Sequence, residues 1–143
     1  MLVLPKTGES MIYTIIGPPV PLARARHTAY AVYDSQKTLR IHQEIELENQ
    51  QTKPLLNNMP LRLNVTFYMP IPVSYSPKKR LETVGKPHMF KPDTSNLLKW
   101  IEDIATKIVY YDDCLISDVH ATKVYDLNPR TEFTIVPYYD ERG

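Results

Sequence analysis

The residues of this chain best suited to chemistry are a set of acids around one lysine. Asp93 and Lys99 lie in the run KPDTSNLLKW, and the adjacent Asp112 and Asp113 follow in YYDDCL. Carboxylates bind hard divalent cations through oxygen, and such a cation can hold a water and a phosphate oxygen side by side. A lysine beside them can neutralise charge that develops on phosphorus. If the acids meet, the chemistry they suit is hydrolysis of a phosphodiester. Each residue also has an ordinary use. An Asp ahead of a helix is a cap, Asp-Asp in a turn is solvated, and Lys99 with Asp103 is an i,i+4 surface pair. Spacing alone does not bring Asp93 to Asp112 and Asp113.

The elements that must position these residues are readable from pattern. Leu97, Leu98, Ile101, Ile104 and Ile108 recur at helical spacing, which predicts a helix from Ser95 to Ile108, about 20 Å long. Pro92 precedes it, and Asp93, Thr94 or Ser95 can serve as N-cap. Asn96, Lys99 and Asp103 share a face offset from the apolar stripe. Ile116 to Tyr125 reads as a strand, and Asn128-Pro129 marks a turn into a last strand, Arg130 to Val136, expected to pair with it as a hairpin. Leu61 to Met69 alternates apolar and polar residues and is expected at the centre of the sheet. Met11 to Ile16 is a further strand, and Ala29 to Tyr33 a short strand or hairpin arm. A helix over roughly Gln36 to Gln51, capped by Asp34 or Ser35, has a weak apolar stripe and belongs on the surface. Ser76 and Pro77 suit the cap and first position of a short helix through about Val84.

With 143 residues the chain fits one domain, and 43% hydrophobic against 23% charged residues is ordinary for a globular protein. No apolar run nears the roughly 20 residues a membrane span needs, which excludes that class. No signal peptide is visible, and the single Cys114 excludes an internal disulfide and fits a reducing cytoplasm. The formal net charge is only +1, but its distribution is uneven. Ser74 to Pro92 carries five cations against Glu82, net +4, and Asp93 to Asp118 carries six acids against Lys99 and Lys107, net −4. A basic rim suits phosphates and an acidic centre suits a divalent cation. Arg24 and Arg26, on one face of an extended segment, could both reach phosphates.

The order K-P-D-x-x-N-L-x-K, a helix, then Y-x-D-D before a strand resembles the RusA family of Holliday-junction resolvases. GPPVPLARARHT and MPIPVSYSPKKRLETVGKPHMFKPD resemble that family's N-terminal strand with its basic loop and the approach to its active site; the likeness runs from about Ile12 to Tyr125. The resemblance implies a small homodimeric endonuclease, dependent on Mg²⁺ with Mn²⁺ able to substitute, that cuts four-way DNA junctions symmetrically in recombination and repair. It implies catalytic roles for Asp93, Lys99, Asp112 and Asp113. It implies metal binding by Asp93 and Asp113 with Asp112, Asn96 in support, and DNA contact by Arg24, Arg26, Lys78, Lys79, Arg80, Lys86 and Lys91. Two positions depart from the pattern. Ser95 stands where a second motif carboxylate is expected, so it would reach a metal only through a water. Leu115 stands where a polar residue is usual. A catalytically weak branched-DNA-binding protein and a metal-dependent nuclease for another DNA structure are the alternatives.

The expected fold is α+β: one domain over residues 1–143, a mixed sheet of about four to six strands, and helices mainly on one face. Residues 1–10 and 137–143 are expected to be loose termini.

Overall fold

The computed structural model describes residues 11–23, 26–27, 32–33 and 36–139, the short segments 26–27 and 32–33 by backbone alone. Its elements follow in the order β1 (Tyr13–Ile16), β2 (Arg26–His27), β3 (Val32–Tyr33), α1 (Lys37–Gln50), β4 (Leu61–Pro70), α2 (Pro77–Thr83), α3 (Thr94–Ala105), β5 (Ile116–Asp126) and β6 (Arg130–Pro137). Four strands make one mixed sheet in the order β1-β6-β4-β5, and β2 and β3 form a separate antiparallel pair. The fold is α+β, as expected. Arg24, the possible caps Asp34 and Ser35, and the expected loose start at residues 1–10 lie outside the described residues, as do residues 140–143 of the expected loose end; of its other residues, Pro137 closes β6 and Tyr138 N donates to the Pro60 carbonyl at 2.9 Å.

β4 alternates as its sequence requires. Leu61, Leu63, Val65, Phe67 and Met69 are buried while Arg62, Asn64, Thr66 and Tyr68 stand on the other face. The buried set meets Leu97, Trp100, Ile101, Ile104 and Ala105 of α3, Leu47 of α1, Tyr13 and Ile15 of β1, and Phe133 and Ile135 of β6 in one core. Strand content is therefore used on one face only, and the helices cover that face. At the centre of the helix layer Trp100 is 1% exposed, and its indole Nε1 donates to Gln43 Oε1 of α1 at 2.7 Å. Arg40 lies over the Trp100 ring and pairs with Asp103. Asp103 is thus placed against α1.

Two expectations are corrected. β5 and β6 do not pair as a hairpin. β5 pairs with β4 in parallel, and β6 pairs with β4 antiparallel from the opposite side. The connection crosses the end of β4 instead, held by Arg130, which bonds Asp126 Oδ2, the Asn128 carbonyl and Glu132 Oε1 and lies 3.8 Å over the Tyr68 ring. The main helix also ends at Ala105 and not at Ile108. Thr106 turns extended and Lys107 takes φ +70°. Thr106 Oγ1 and Tyr110 OH both donate to the Glu102 carbonyl, at 2.7 Å each. These two bonds satisfy a C-terminal carbonyl that a longer helix would have used itself.

The two outer edges of the sheet are treated differently. α1 lies along β1 and completes its hydrogen bonds: Gln50 exchanges two bonds with the Thr14 backbone, at 2.8 and 2.7 Å, and Glu46 accepts from Ile16 N at 2.9 Å. Among the described residues the outer edge of β5 is covered at its far end, where Lys86 to His88 pairs with Lys123 to Tyr125. Among the described residues no strand pairs with that edge from Ile116 to Thr122.

Replacing Gln43 by Leu leaves the buried indole N–H without its acceptor, which costs about 1–3 kcal/mol. Urea unfolding should show that loss, and most of it should vanish when Gln43→Leu is made in a Trp100→Phe background, where there is no N–H to strand.

Candidate active site

Asp93 is the N-cap of α3, with extended backbone (φ −65°, ψ 143°), and its carbonyl accepts from Asn96 N and Leu97 N. Its carboxylate makes no capping bond. It accepts from Lys91 Nζ at 2.9 Å and remains half exposed. An acid that a helix does not use for capping is available to a ligand. The approach to it is fixed from β5. Lys123 Nζ donates to the Phe90 and Pro92 carbonyls at 2.6 and 2.7 Å. His88 N donates to the Lys123 carbonyl at 3.0 Å, and Gly85 N and the Lys86 carbonyl pair with the Tyr125 backbone. Gly85 takes φ +83°, which lets the chain turn sharply out of α2 into this strap. The His88 ring lies 4.7 Å from that of Tyr125, and burial, then the Lys123 charge, lowers its pKa. The Lys91–Pro92 peptide is cis.

Asp112 and Asp113 lie at the other end of α3. The Tyr111 amide donates to the Leu56 carbonyl and Tyr110 OH ties the segment to Glu102. Asp112 Oδ1 then accepts from Cys114 N at 3.0 Å and caps a 3-10 turn, Asp113–Leu115, that leads into β5. That amide bond pulls the Asp112 pKa below the usual carboxylate range. Asp113 moves the other way, pushed up by desolvation and by its neighbour Asp112. Glu102 is raised as well, by burial and then by Asp113, with Lys99 opposing. Lys99, Glu102 and Asp113 therefore share one electrostatic neighbourhood.

The predicted site is thus in two halves. From Asp93 to Glu102 the helix rises about 13 Å, and from Ile116 to Lys123 the strand rises about 23 Å. Lys99 lies on the helix between them. Among the described residues no three His, Cys, Asp or Glu side chains converge to hold a metal ion. Ser95 is exposed on the first turn of α3, and Asn96 is half-buried there, its carbonyl accepting from Leu22 N at 3.1 Å.

Of the expected DNA-contact residues, Lys78, Lys79, Arg80, Lys86 and Lys91 fall at the Asp93 end. Lys78, Lys79, Lys86 and Lys91 are exposed on α2 and the strap. Lys79 Nζ lies 3.9 Å over the Tyr75 ring. Arg80 NH1 bonds the Ile71 and Pro72 carbonyls, so this guanidinium also fastens α2 to the end of β4. Arg26 is in β2 by its backbone, and Arg24 lies outside the described residues.

A model of the endodeoxyribonuclease RusA family matches residues 17–136, which includes every motif acid. The chain belongs to the RusA family. This RusA chain is 34% identical over 105 residues to the crossover junction endodeoxyribonuclease rusA of Lactococcus phage r1t, covering 72% of this chain and 75% of the relative. It is 27% identical over 132 residues to the uncharacterized protein YqaN of Bacillus subtilis (strain 168), covering 86% and 93%. No helix among the described residues is long and apolar enough to cross a membrane.

Two residues beside the motif are not evident from it. Lys123 fixes the turn before Asp93; its signal in sequence is a cation on the strand face it shares with Ala121 and the buried Tyr125. Glu102 stands between Lys99 and Asp113; its signal is the i,i+3 spacing from Lys99, which competes with the i,i+4 spacing to Asp103. Lys123→Met removes both charged hydrogen bonds to the Phe90–Pro92 carbonyls. It should cost about 1–3 kcal/mol in urea unfolding and speed amide exchange at His88 and Tyr125, whose bonds close the strap.

Proposed function

We propose that the chain is a divalent-metal-dependent endonuclease that binds four-way (Holliday) junctions as a homodimer and resolves them by paired symmetric cuts in recombination and repair. The observation that supports this most is the family match across the whole motif, together with a similar phage protein named for crossover junction cleavage. Mg²⁺, or Mn²⁺ in its place, would be held by Asp93 and Asp113 with Asp112 assisting and Ser95 reaching it through a water, and it supplies charge neutralisation and water activation at phosphorus. Lys99 neutralises charge on the phosphate as the water attacks, and Asn96 orients Asp93. Arg24, Arg26, Lys78, Lys79, Lys86 and Lys91 contact the DNA backbone, with Arg80 adding its charge to the α2 rim.

The homodimer would complete the site. The halves of one chain lie at opposite ends of α3, and among the described residues nothing pairs with the β5 edge beside them from Ile116 to Thr122. Antiparallel pairing of two β5 strands about a two-fold axis sets the Asp113 end of one chain against the Asp93 end of the other. It also sets the net −4 segment of one chain near the net +4 segment of its partner. Two composite sites then face the two strands that a symmetric resolution must cut.

A labelled four-way junction, incubated with Mg²⁺ or Mn²⁺ beside a linear duplex of the same sequence, tests the reading. The expected result is paired symmetric nicks on the junction alone. Asp113→Asn should abolish them and leave junction binding within about threefold, since the change leaves the basic contacts in place. Cutting without preference for four-way DNA would move the assignment to another DNA structure. Junction binding without cutting in either metal would make the chain a binding module.

A further inference from the structure

We propose that Met89 and Phe90 form an apolar wedge that enters the DNA base stack beside the cleavage site, an inference that rests on the branched-DNA reading above. Met89 is 82% exposed and Phe90 58% exposed, side by side at the tip of the strap. Such a pair is not held out by a loose segment. Lys123 Nζ grips the Phe90 carbonyl, His88 N bonds the Lys123 carbonyl, and the His88 ring stands edge-on to Phe90 at 6.1 Å. The backbone beneath the tip is fixed while the two side chains face solvent.

The surroundings select the occupant. Lys86 and Lys91 are exposed on either side of the pair, and Asp93 follows three residues beyond Phe90. Cations flanking an apolar tip match a nucleic acid, in which phosphates flank apolar base faces. Stacking on a base accepts any sequence, and a branch point, where stacking is already interrupted, lowers the cost of entry. A wedge so close to Asp93 would hold the distorted step in register with the phosphate to be cut, so its residues are positioning residues.

The test uses the full chain in the Asp113→Asn form, which binds without cutting, and a four-way junction with 2-aminopurine at the branch point. Binding should raise the 2-aminopurine fluorescence as the base unstacks. The Met89→Ser, Phe90→Ser double variant should lose most of that rise and weaken junction affinity by about tenfold, with an unchanged melting temperature. Phe90→Trp should keep the rise. A rise that persists in the double variant overturns the wedge. Reference protein that binds the junction without any rise overturns it too, and leaves the branched-DNA reading standing. Reference protein that does not prefer the junction to duplex overturns both. A dimer that dissociates in the double variant, seen by sedimentation, would assign the pair to contact with a second copy and overturn the wedge.

Discussion

The parallel pairing of β4 with β5 constrains everything else in this molecule. Two parallel neighbours cannot be joined by a tight turn, so the chain must travel back along the sheet before the second strand begins. α3 makes that return, burying Leu97, Trp100, Ile101 and Ile104 against β4. A motif acid placed before the helix and a pair placed after it are therefore carried to opposite ends of the sheet. The separation of Asp93 from Asp112 and Asp113 follows from topology, not from the local choice of any side chain.

The same topology leaves β5 at the edge. Open edges invite pairing with another chain, and proteins blunt them when no partner is intended. Here β1 is blunted thoroughly by Gln50 and Glu46 of α1. Among the described residues β5 is blunted by the Lys86–His88 strap alone, at the end where Asp93 lies. The strap and the Lys123 grip serve one purpose, which is to fix the Asp93 half, the exposed lysines and the Met89–Phe90 tip as one rigid corner. At the other half the opposed pKa shifts of Asp112 and Asp113 have a local cause: one carboxylate accepts the Cys114 amide, and the other is pushed up by partial desolvation and by the neighbouring Asp112 carboxylate.

Much of this was legible in the sequence. The alternation in Leu61–Met69 gave the central strand and its buried face, the apolar stripe from Leu97 gave α3, and Ser76-Pro77 gave the start of α2, where Ser76 Oγ accepts from Lys79 N. The motif acids and lysine were also legible. What was not legible depends on contacts between distant segments. The end of α3 is set by Thr106 and Tyr110 converging on one carbonyl, where apolar spacing alone carries the helix on to Ile108. The apparent β5–β6 hairpin fails because both strands pair better with β4, and a short polar connection cannot reveal which neighbour wins. Likewise Lys123 looks like an ordinary strand lysine until the turn before Asp93 lies against it.

In the proposed dimer Asp93 and Asp113 act together only across the two-fold axis. The decisive experiment is a mixed dimer in which one subunit carries Asp93→Asn and the other Asp113→Asn, isolated by two different tags. A composite arrangement leaves one intact pair in that dimer, so it should nick one strand of a four-way junction while each pure variant stays inactive. A mixed dimer as inactive as its parents would place both acids in one subunit's site and contradict the account.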